Sequence, residues 1–158
     1  MDLNFEFLKI YFDGGSRGNP GPSAVGAVVY DKNDNKIEDL SLYIGNYTNN
    51  LAEYIALDKV LDLIKKYKIK YNIRKIILFT DSKLLYSQLK RTWRVKDTEI
   101  LEIYKIVSKK LKDYELVDLR LIPRERNKAA DDLVNIALNK KESSIQDVPE
   151  INFGNIED

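Results

Sequence analysis

The chain has 158 residues, of which 44% are hydrophobic and 32% are charged, and this size and composition fit one globular domain with a sheet and covering helices. Its 26 Lys and Arg against 25 Asp and Glu leave a net charge of +1, so any site for a polyanion must be local. Cysteine and histidine are both absent, which excludes disulfides, thiolate or imidazole metal sites, cysteine nucleophiles and His-based triads. Hydrolytic chemistry would therefore fall to carboxylates, lysine, tyrosine or hydroxyl groups.

The sequence carries no targeting signal that we recognise. The opening residues lack a basic n-region, and no apolar run approaches the roughly 18 residues of a membrane-spanning helix. These features predict a cytoplasmic protein with no membrane association, and nothing in the sequence indicates an obligate protein partner.

Three short runs rich in apolar residues occupy the first third of the chain, at residues 7–12, 23–30 and 36–44. The first run stops at Asp13, Gly14 and Gly15, where a turn is predicted. Polar residues at 31–35 predict a hairpin turn between the second and third runs. The first third is therefore predicted to be an antiparallel meander of three strands.

From Asn50 onward the apolar residues recur at helical spacing, which predicts a first helix. The later pattern predicts strands at residues 74–80 and 115–122, and helices at residues 81–91, 97–111 and 127–139. The order βββαβααβα predicts an α/β fold with a mixed five-stranded sheet, in which three antiparallel strands precede two strands parallel to the first. Helices should cover both faces of this sheet.

The composition changes after Lys141. Residues 142–158 contain five acids and no base, which predicts a domain of residues 1–141 followed by a flexible acidic tail. The alternative is that the tail docks on the core through its apolar residues, which are Ile151, Phe153 and Ile156.

Four acids stand at functionally suggestive places in this scheme. Asp13 and Asp81 each follow a predicted strand, and the carboxyl ends of parallel strands are where α/β sheets place their sites. Two neighbouring carboxylates repel each other unless a divalent cation lies between them. Glu53 lies on the stripe that the first helix buries, where a charge is costly unless it is paired, protonated or coordinated to a cation. Asp131 lies in the first turn of the last helix.

Each of these acids also has an ordinary structural explanation. Asp13 could be a turn aspartate, Glu53 a capping residue and Asp81 a helix N-cap. Asp131 and its neighbour Asp132 could serve the helix dipole. Together, however, the acids form the oxygen-ligand set that Mg²⁺ prefers, and two cations roughly 4 Å apart can activate water and stabilise the leaving oxygen of a phosphodiester.

Four segments resemble the motifs of the type 1 ribonucleases H, over about residues 7–140. They are FDGGSRGNPGPSAVG at 12–26, NNLAEY at 49–54, TDSK at 80–83 and NKAADDL at 127–133. The resemblance implies a ribonuclease H-like fold in a catalytic domain of residues 1–141, and hydrolysis of the RNA strand of RNA/DNA hybrids to 5′-phosphate and 3′-hydroxyl ends. It also implies two Mg²⁺ or Mn²⁺ ions per site. The implied catalytic and metal-binding carboxylates are Asp13, Glu53, Asp81 and Asp131.

The same resemblance implies substrate contacts around these carboxylates. Gly14, Gly15 and Asn19 would line the substrate groove, where missing side chains let the backbone approach the RNA. Asn49 and Asn50 would offer amides to 2′-hydroxyls in the wide minor groove of an A-form duplex, although either residue could instead cap the first helix.

Trp93 lies among four basic residues in the segment 90–96 and resembles the DNA-strand contact of the family. A half-buried Trp beside a solvated basic turn is the alternative. Arg124 stands in the loop where many relatives have a histidine that helps product leave, and it is predicted to engage phosphate instead. The turn at residues 92–96 is too short for the extra basic helix of some relatives, which predicts weaker substrate binding.

Two other functions remain open on the sequence alone, a non-catalytic hybrid-binding module and a nuclease that prefers double-stranded RNA. The presence of all four carboxylates argues against the first. The presence of Asn49 and Asn50 favours a hybrid over the second only moderately.

Overall fold

The computed structural model describes residues 5–147, with side chains described for residues 5–142. Five strands form one sheet: β1 Phe7–Ser16, β2 Gly21–Asp31, β3 Lys36–Tyr47, β4 Lys75–Thr80 and β5 Val117–Leu121. Four helices cover it: α1 Asn49–Lys70, α2 Lys83–Leu89, α3 Thr98–Lys112 and α4 Lys128–Asp147. A single 3₁₀ turn, Arg124–Arg126, precedes α4. The predicted order of strands and α-helices is confirmed.

The strand order across the sheet is β3-β2-β1-β4-β5. The β1–β2 and β2–β3 pairs are antiparallel, whereas β1–β4 and β4–β5 are parallel. This is the mixed sheet that the sequence predicts, with β1 at its centre. The β1 residues from Phe12 to Gly14 are buried in succession, so an acid at position 13 stands out.

The predicted turn at Asp13, Gly14 and Gly15 is wrong, because β1 continues to Ser16. All three residues pair with β2, beginning with Asp13 opposite Gly26. The parallel ladder with β4 ends earlier, at Tyr11. The last half of β1 therefore has a partner strand on one side only, and Asp13 lies just beyond the end of β4.

Helices cover both faces of the sheet, as predicted. The larger core lies between the sheet and helices α1, α2 and α3, and its largest members include Phe12, Tyr54 and Leu85. The smaller core lies under α4, where Val134, Ala137 and Leu138 pack on the opposite face. Apolar residues at helical spacing on α1 and α4 form these contacts, which is why their periodicity was informative.

Two glycines allow these helices to approach the sheet closely. A Cβ on Gly14 would lie 2.1 Å from the carbonyl oxygen of Ala52 in α1. On Gly26 a Cβ would lie 2.3 Å from the carbonyl oxygen of Ala130 in α4. Each helix therefore touches the sheet at the residue directly before one of the four acids, Glu53 in α1 and Asp131 in α4.

The last helix continues past Lys141, so the first residues of the predicted tail are helical through Asp147. The remainder of the predicted flexible tail, and the alternative docking residues Ile151, Phe153 and Ile156, lie outside the described residues. Within residues 5–147, no helix is both long enough and apolar enough to cross a bilayer.

The close contact between Gly14 and α1 predicts that one methyl group added at this position lowers the stability of the protein. Gly14→Ala should lower the free energy of unfolding by roughly 1 to 3 kcal/mol or more, because its Cβ meets helix backbone that cannot rotate away. Gly15→Ala is the matched control, since its Cβ would meet side-chain atoms rather than helix backbone, with Val134 Cγ1 the nearest at 3.2 Å. Chemical denaturation of both variants measures the difference, and equal losses would show that α1 does not need Gly14 for its position.

Candidate active site

Three carboxylates meet where β1 runs past the end of β4. Asp13 lies in β1, Asp81 directly follows β4, and Glu53 lies in the second turn of α1. The parallel ladder ends with Tyr11 opposite Phe79. Asp13 and Asp81 are each two residues further on, so they emerge side by side. One carboxylate oxygen from each of the three acids lies within 4.8 Å of the other two.

Glu53 is the most enclosed of the three acids. It is 5% exposed and lies on the buried face of α1, as its spacing from Leu57 predicts, and Asp13 is 7% exposed. The Oε2 atom of Glu53 is buried without a hydrogen-bond partner among the described residues. Such an oxygen is costly to bury unless a proton or a cation satisfies it.

Burial raises the pKa of two of these carboxyls. The pKa of Asp13 rises to about 7, mainly through loss of solvent, with further increases from the charges of Asp81 and Asp131. A hydrogen bond from the Glu53 carboxyl opposes this rise. Burial, followed by the charge of Asp13, also raises the pKa of Glu53 well above its ordinary range. Without a cation, Asp13 and Glu53 therefore both hold a proton to higher pH than an ordinary carboxyl does.

This donor set fits a divalent cation. All three side chains offer oxygen, which is the ligand atom that Mg²⁺ and Mn²⁺ prefer. Burial, and then the like charges of the neighbouring acids, raises the pKa of Asp13 and of Glu53, and the charge of a bound cation would oppose this rise. The buried, unpartnered Oε2 of Glu53 is a further oxygen available to an ion.

The fourth acid, Asp131, lies near this cluster but is not one of the three acids whose oxygens meet within 4.8 Å. It sits in the first turn of α4, half-buried, and its charge contributes to the raised pKa of Asp13. Its neighbour Asp132 is exposed and accepts a hydrogen bond from Lys128 at 3.2 Å. The structure therefore separates the two adjacent acids as their helical phase predicts.

The capping roles considered as alternatives are wrong. Thr48 is the N-cap of α1 and accepts a hydrogen bond from the Leu51 amide, so Asn49, Asn50 and Glu53 do not cap this helix. Ser82 is the N-cap of α2, so Asp81 does not cap that one.

Asn19 and Asn49 join the glycine loop to the start of α1. The Oδ1 atom of Asn49 accepts a hydrogen bond from the Ser16 amide at 3.2 Å, and the Asn49 amide donates to Asn19 Oδ1 at 3.0 Å. Asn49 and Asn50 are both exposed. Gly15 lies next to this pair, because a Cβ on it would be 4.0 Å from Asn49 Oδ1.

Gly14 differs from the other residues assigned to the substrate groove. It is buried, and its missing side chain makes room for α1 rather than for a ligand. The structure therefore gives Gly14 a packing role, and its contact with RNA stays a prediction.

Trp93 lies in the connection between α2 and α3 and is 44% exposed. The Nζ atom of Lys83 lies 5.7 Å from its ring centroid, close enough for a cation–π contact. Arg91 and Arg94 line the same shallow depression. Arg124 is exposed in the 3₁₀ turn before α4.

Sequence analysis missed one buried polar residue in the site, Asn127. It is 1% exposed, and its Nδ2 atom donates to Asp81 Oδ2 at 3.0 Å. The available signal was its place as first residue of the NKAADDL segment, but an asparagine directly before a helix is usually taken for a cap.

Comparisons with known proteins agree on one family. Residues 11–137 match the family model described as reverse transcriptase-like. The chain is 35% identical over 132 residues to a bifunctional protein of Mycobacterium tuberculosis, covering 83% of this chain and 35% of that protein. It is 35% identical over 131 residues to ribonuclease HI of Halobacterium salinarum, covering 83% and 64%. The chain thus spans about a third of the length of the first of these relatives.

A solved structure of LC11-RNase H1 in complex with an RNA/DNA hybrid superposes with a TM-score of 0.80. The two chains are 35% identical, and the alignment covers 85% of this chain and 98% of the other. A second chain, RNase H1 from Halobacterium salinarum, superposes with a TM-score of 0.78 at 34% identity, covering 85% and 98%.

The raised pKa of Asp13 predicts how the metal-free protein responds to pH. An acid whose pKa is raised by folding binds more protons in the folded state, so the free energy of unfolding falls as pH rises from about 4 to about 7. Asp13→Asn should weaken this fall and leave the variant at least as stable as wild type above about pH 7. Thermal unfolding in EDTA measures both effects.

Asp132→Asn is the control for that experiment, because Asp132 is exposed and paired with Lys128. It should keep the wild-type dependence on pH. A fall in stability with pH that is equally steep in Asp13→Asn would assign the effect to other acids.

Proposed function

The chain belongs to the type 1 ribonuclease H family, and on that basis we propose that it is an endonuclease that hydrolyses the RNA strand of RNA/DNA hybrids. The observation that carries the proposal is the meeting of Asp13, Glu53 and Asp81 within 4.8 Å, two of them buried, at an open end of the sheet. Among the described contacts no Lys or Arg side chain pairs with these three acids, so they do not form an ion-pair network. It supports a hydrolase that depends on a divalent metal.

The carboxylates supply what this chemistry needs in a protein without histidine. Divalent cations held there, Mg²⁺ or Mn²⁺ and two per site in the substrate complex, would activate a water molecule and stabilise the leaving oxygen, giving 5′-phosphate and 3′-hydroxyl ends. Asp13, Glu53 and Asp81 would hold these ions, and Asp131 would contribute from the first turn of α4. Glu53 must give up its proton when an ion is bound.

The substrate would lie along the exposed residues that surround this cluster. LC11-RNase H1 binds an RNA/DNA hybrid in its crystal structure, which supports the same substrate class here. Asn49 and Asn50 are exposed at the start of α1, where their amides would meet ribose hydroxyls. Trp93, with Lys83 beside its ring, would contact the DNA strand by stacking and charge.

Because the net charge is only +1, electrostatic attraction to the hybrid must come from this local surface. The connection between α2 and α3 contains no helix in the described structure, in agreement with the short turn expected there. We therefore propose that the chain binds hybrids more weakly than relatives that carry an extra basic helix. Arg124 would engage phosphate near the end of the catalytic groove.

The proposal predicts a defined substrate and metal dependence. Matched labelled RNA/DNA, RNA/RNA and DNA/DNA duplexes should be compared with Mg²⁺, with Mn²⁺ and with EDTA. We expect cleavage of the RNA strand of the hybrid with either metal and none in EDTA, because the carboxylates alone lack a nucleophile. Faster cleavage of RNA/RNA would favour the double-stranded RNA nuclease, and hybrid binding without cleavage would favour the non-catalytic module.

A second prediction separates the two adjacent acids of α4. Asp131→Asn should reduce cleavage on the order of 100-fold or more, the size of effect seen when a group that orients a metal site is removed. Asp132→Asn should keep most activity, because Asp132 faces solvent and pairs with Lys128. Both variants should be assayed at saturating hybrid after folding is checked, and the reverse ranking would place the catalytic acid one residue later.

A further inference from the structure

Asn127 is buried at the junction between the 3₁₀ turn and α4. It is 1% exposed, and its backbone carbonyl accepts the hydrogen bond from the Asp131 amide at 3.2 Å that begins the helix. A cap of α4 would need only this backbone position and a short polar side chain directed at the helix. The side chain of Asn127 points elsewhere.

The side-chain amide of Asn127 bridges the two strands that carry the other acids. Its Nδ2 atom donates to the carbonyl oxygen of Phe12 at 2.9 Å and to Asp81 Oδ2 at 3.0 Å. Both partners can only accept, so both amide hydrogens are used and the orientation of the amide is fixed. Phe12 directly precedes Asp13 in β1.

One residue therefore connects three of the four acids. Asn127 holds the Asp81 carboxylate directly, the strand position before Asp13 through Phe12, and the first turn that carries Asp131 through its own backbone. The β1–β4 ladder has already ended at this level, so no strand pairing fixes the distance between Asp13 and Asp81. The two hydrogen bonds from the Asn127 amide fix this distance instead.

The other half of the amide shows that this arrangement is not simply favourable packing. The Oδ1 atom of Asn127 is buried without a hydrogen-bond partner among the described residues. An unsatisfied buried carbonyl is costly, and an apolar residue of similar size would avoid that cost. What an apolar residue could not do is donate to a carboxylate inside a like-charge cluster.

We propose that Asn127 is a positioning residue that holds Asp81 and the Asp13 segment of β1 at the spacing required to bind a divalent cation. The inference rests on the proposed metal-dependent function, but it concerns the relative positions of the carboxylates themselves. Residues that orient metal ligands from outside the coordination sphere typically contribute 10- to 100-fold to metal affinity. Asn127 should do so through Asp81.

The first test measures Mn²⁺ binding by the full chain without nucleic acid, from the free-ion signal in electron paramagnetic resonance. Asn127→Ala should weaken Mn²⁺ affinity about 10- to 100-fold and raise by a similar factor the Mg²⁺ concentration for half-maximal single-turnover cleavage. The KM for hybrid should change little, because Asn127 is buried and cannot touch substrate. Unchanged Mn²⁺ affinity would overturn the proposal.

Two variants control for a general loss of structure. Asn135→Ala removes the same chemical group from within α4, but the Asn135 Nδ2 donates to the backbone oxygen of Asp131 rather than to a carboxylate. Leu138→Ala opens the core beneath α4 without touching the site. Both should keep the wild-type Mn²⁺ affinity, and a comparable loss in either would assign the Asn127 effect to stability.

The decisive measurement repeats Asn127→Ala in an Asp81→Asn background. If the amide acts through Asp81, the second change should cause a much smaller further loss of Mn²⁺ affinity there than in wild type. Equal losses in both backgrounds would overturn the proposal. If Asn127→Ala does not fold, Asn127→Ser, which keeps one donor, replaces it, and failure of both to fold would make Asn127 a folding residue only.

These outcomes separate the inference from the proposed function. A wild-type chain that binds Mn²⁺ but cleaves no hybrid would refute the ribonuclease activity while leaving the Asn127 comparison valid. A wild-type chain that cleaves hybrid, with Asn127→Ala equal to it in Mn²⁺ affinity and Mg²⁺ dependence, would refute the role of Asn127 alone.

Discussion

The carboxylates of Asp13, Glu53 and Asp81 repel one another across distances of at most 4.8 Å, with little water to screen their charges. Burial raises the pKa of Asp13 and of Glu53, so both hold a proton to higher pH than usual, and the Asn127 amide donates a hydrogen bond to Asp81. The repulsion lowers the stability of the metal-free protein, and a bound divalent cation would relieve it. The rest of this end of the molecule is arranged to keep the three acids together.

Close packing of α1 and α4 on β1 and β2 positions Glu53 and Asp131 near the strand ends. Gly14 admits α1 at Ala52, one residue before Glu53, and Gly26 admits α4 at Ala130, one residue before Asp131. Gly26 is also the residue that pairs with Asp13 across the sheet. The two helices therefore reach the sheet at the level of Asp13 from opposite faces, so that a shift of either helix would move an acid relative to the strand ends.

Local patterns were enough to predict the elements and the sheet, because alternation and helical spacing are properties of neighbouring residues. The same logic failed at Gly14 and Gly15, which indicate a turn in a linear sequence but here lie in a strand that a helix approaches closely. Asn127 could not be identified at all, since its partners Phe12 and Asp81 lie far away in the chain. Tertiary constraints on small or polar residues leave no periodic signal.

Because the chain has no histidine, proton release in this site would involve the same carboxyls that bind the metal. Arg124, the residue predicted to engage phosphate, lies in the 3₁₀ turn before α4 and offers a guanidinium rather than an imidazole. The groups with raised pKa values in the site are Asp13 and Glu53 themselves. A carboxyl must lose its proton to bind a cation, so cation binding and proton release are coupled in these two residues, and for Asp13 the coupling extends to about pH 7. Any loss of activity on acidification should therefore be reversed by more metal, whereas titration of a separate proton donor would not respond to metal concentration.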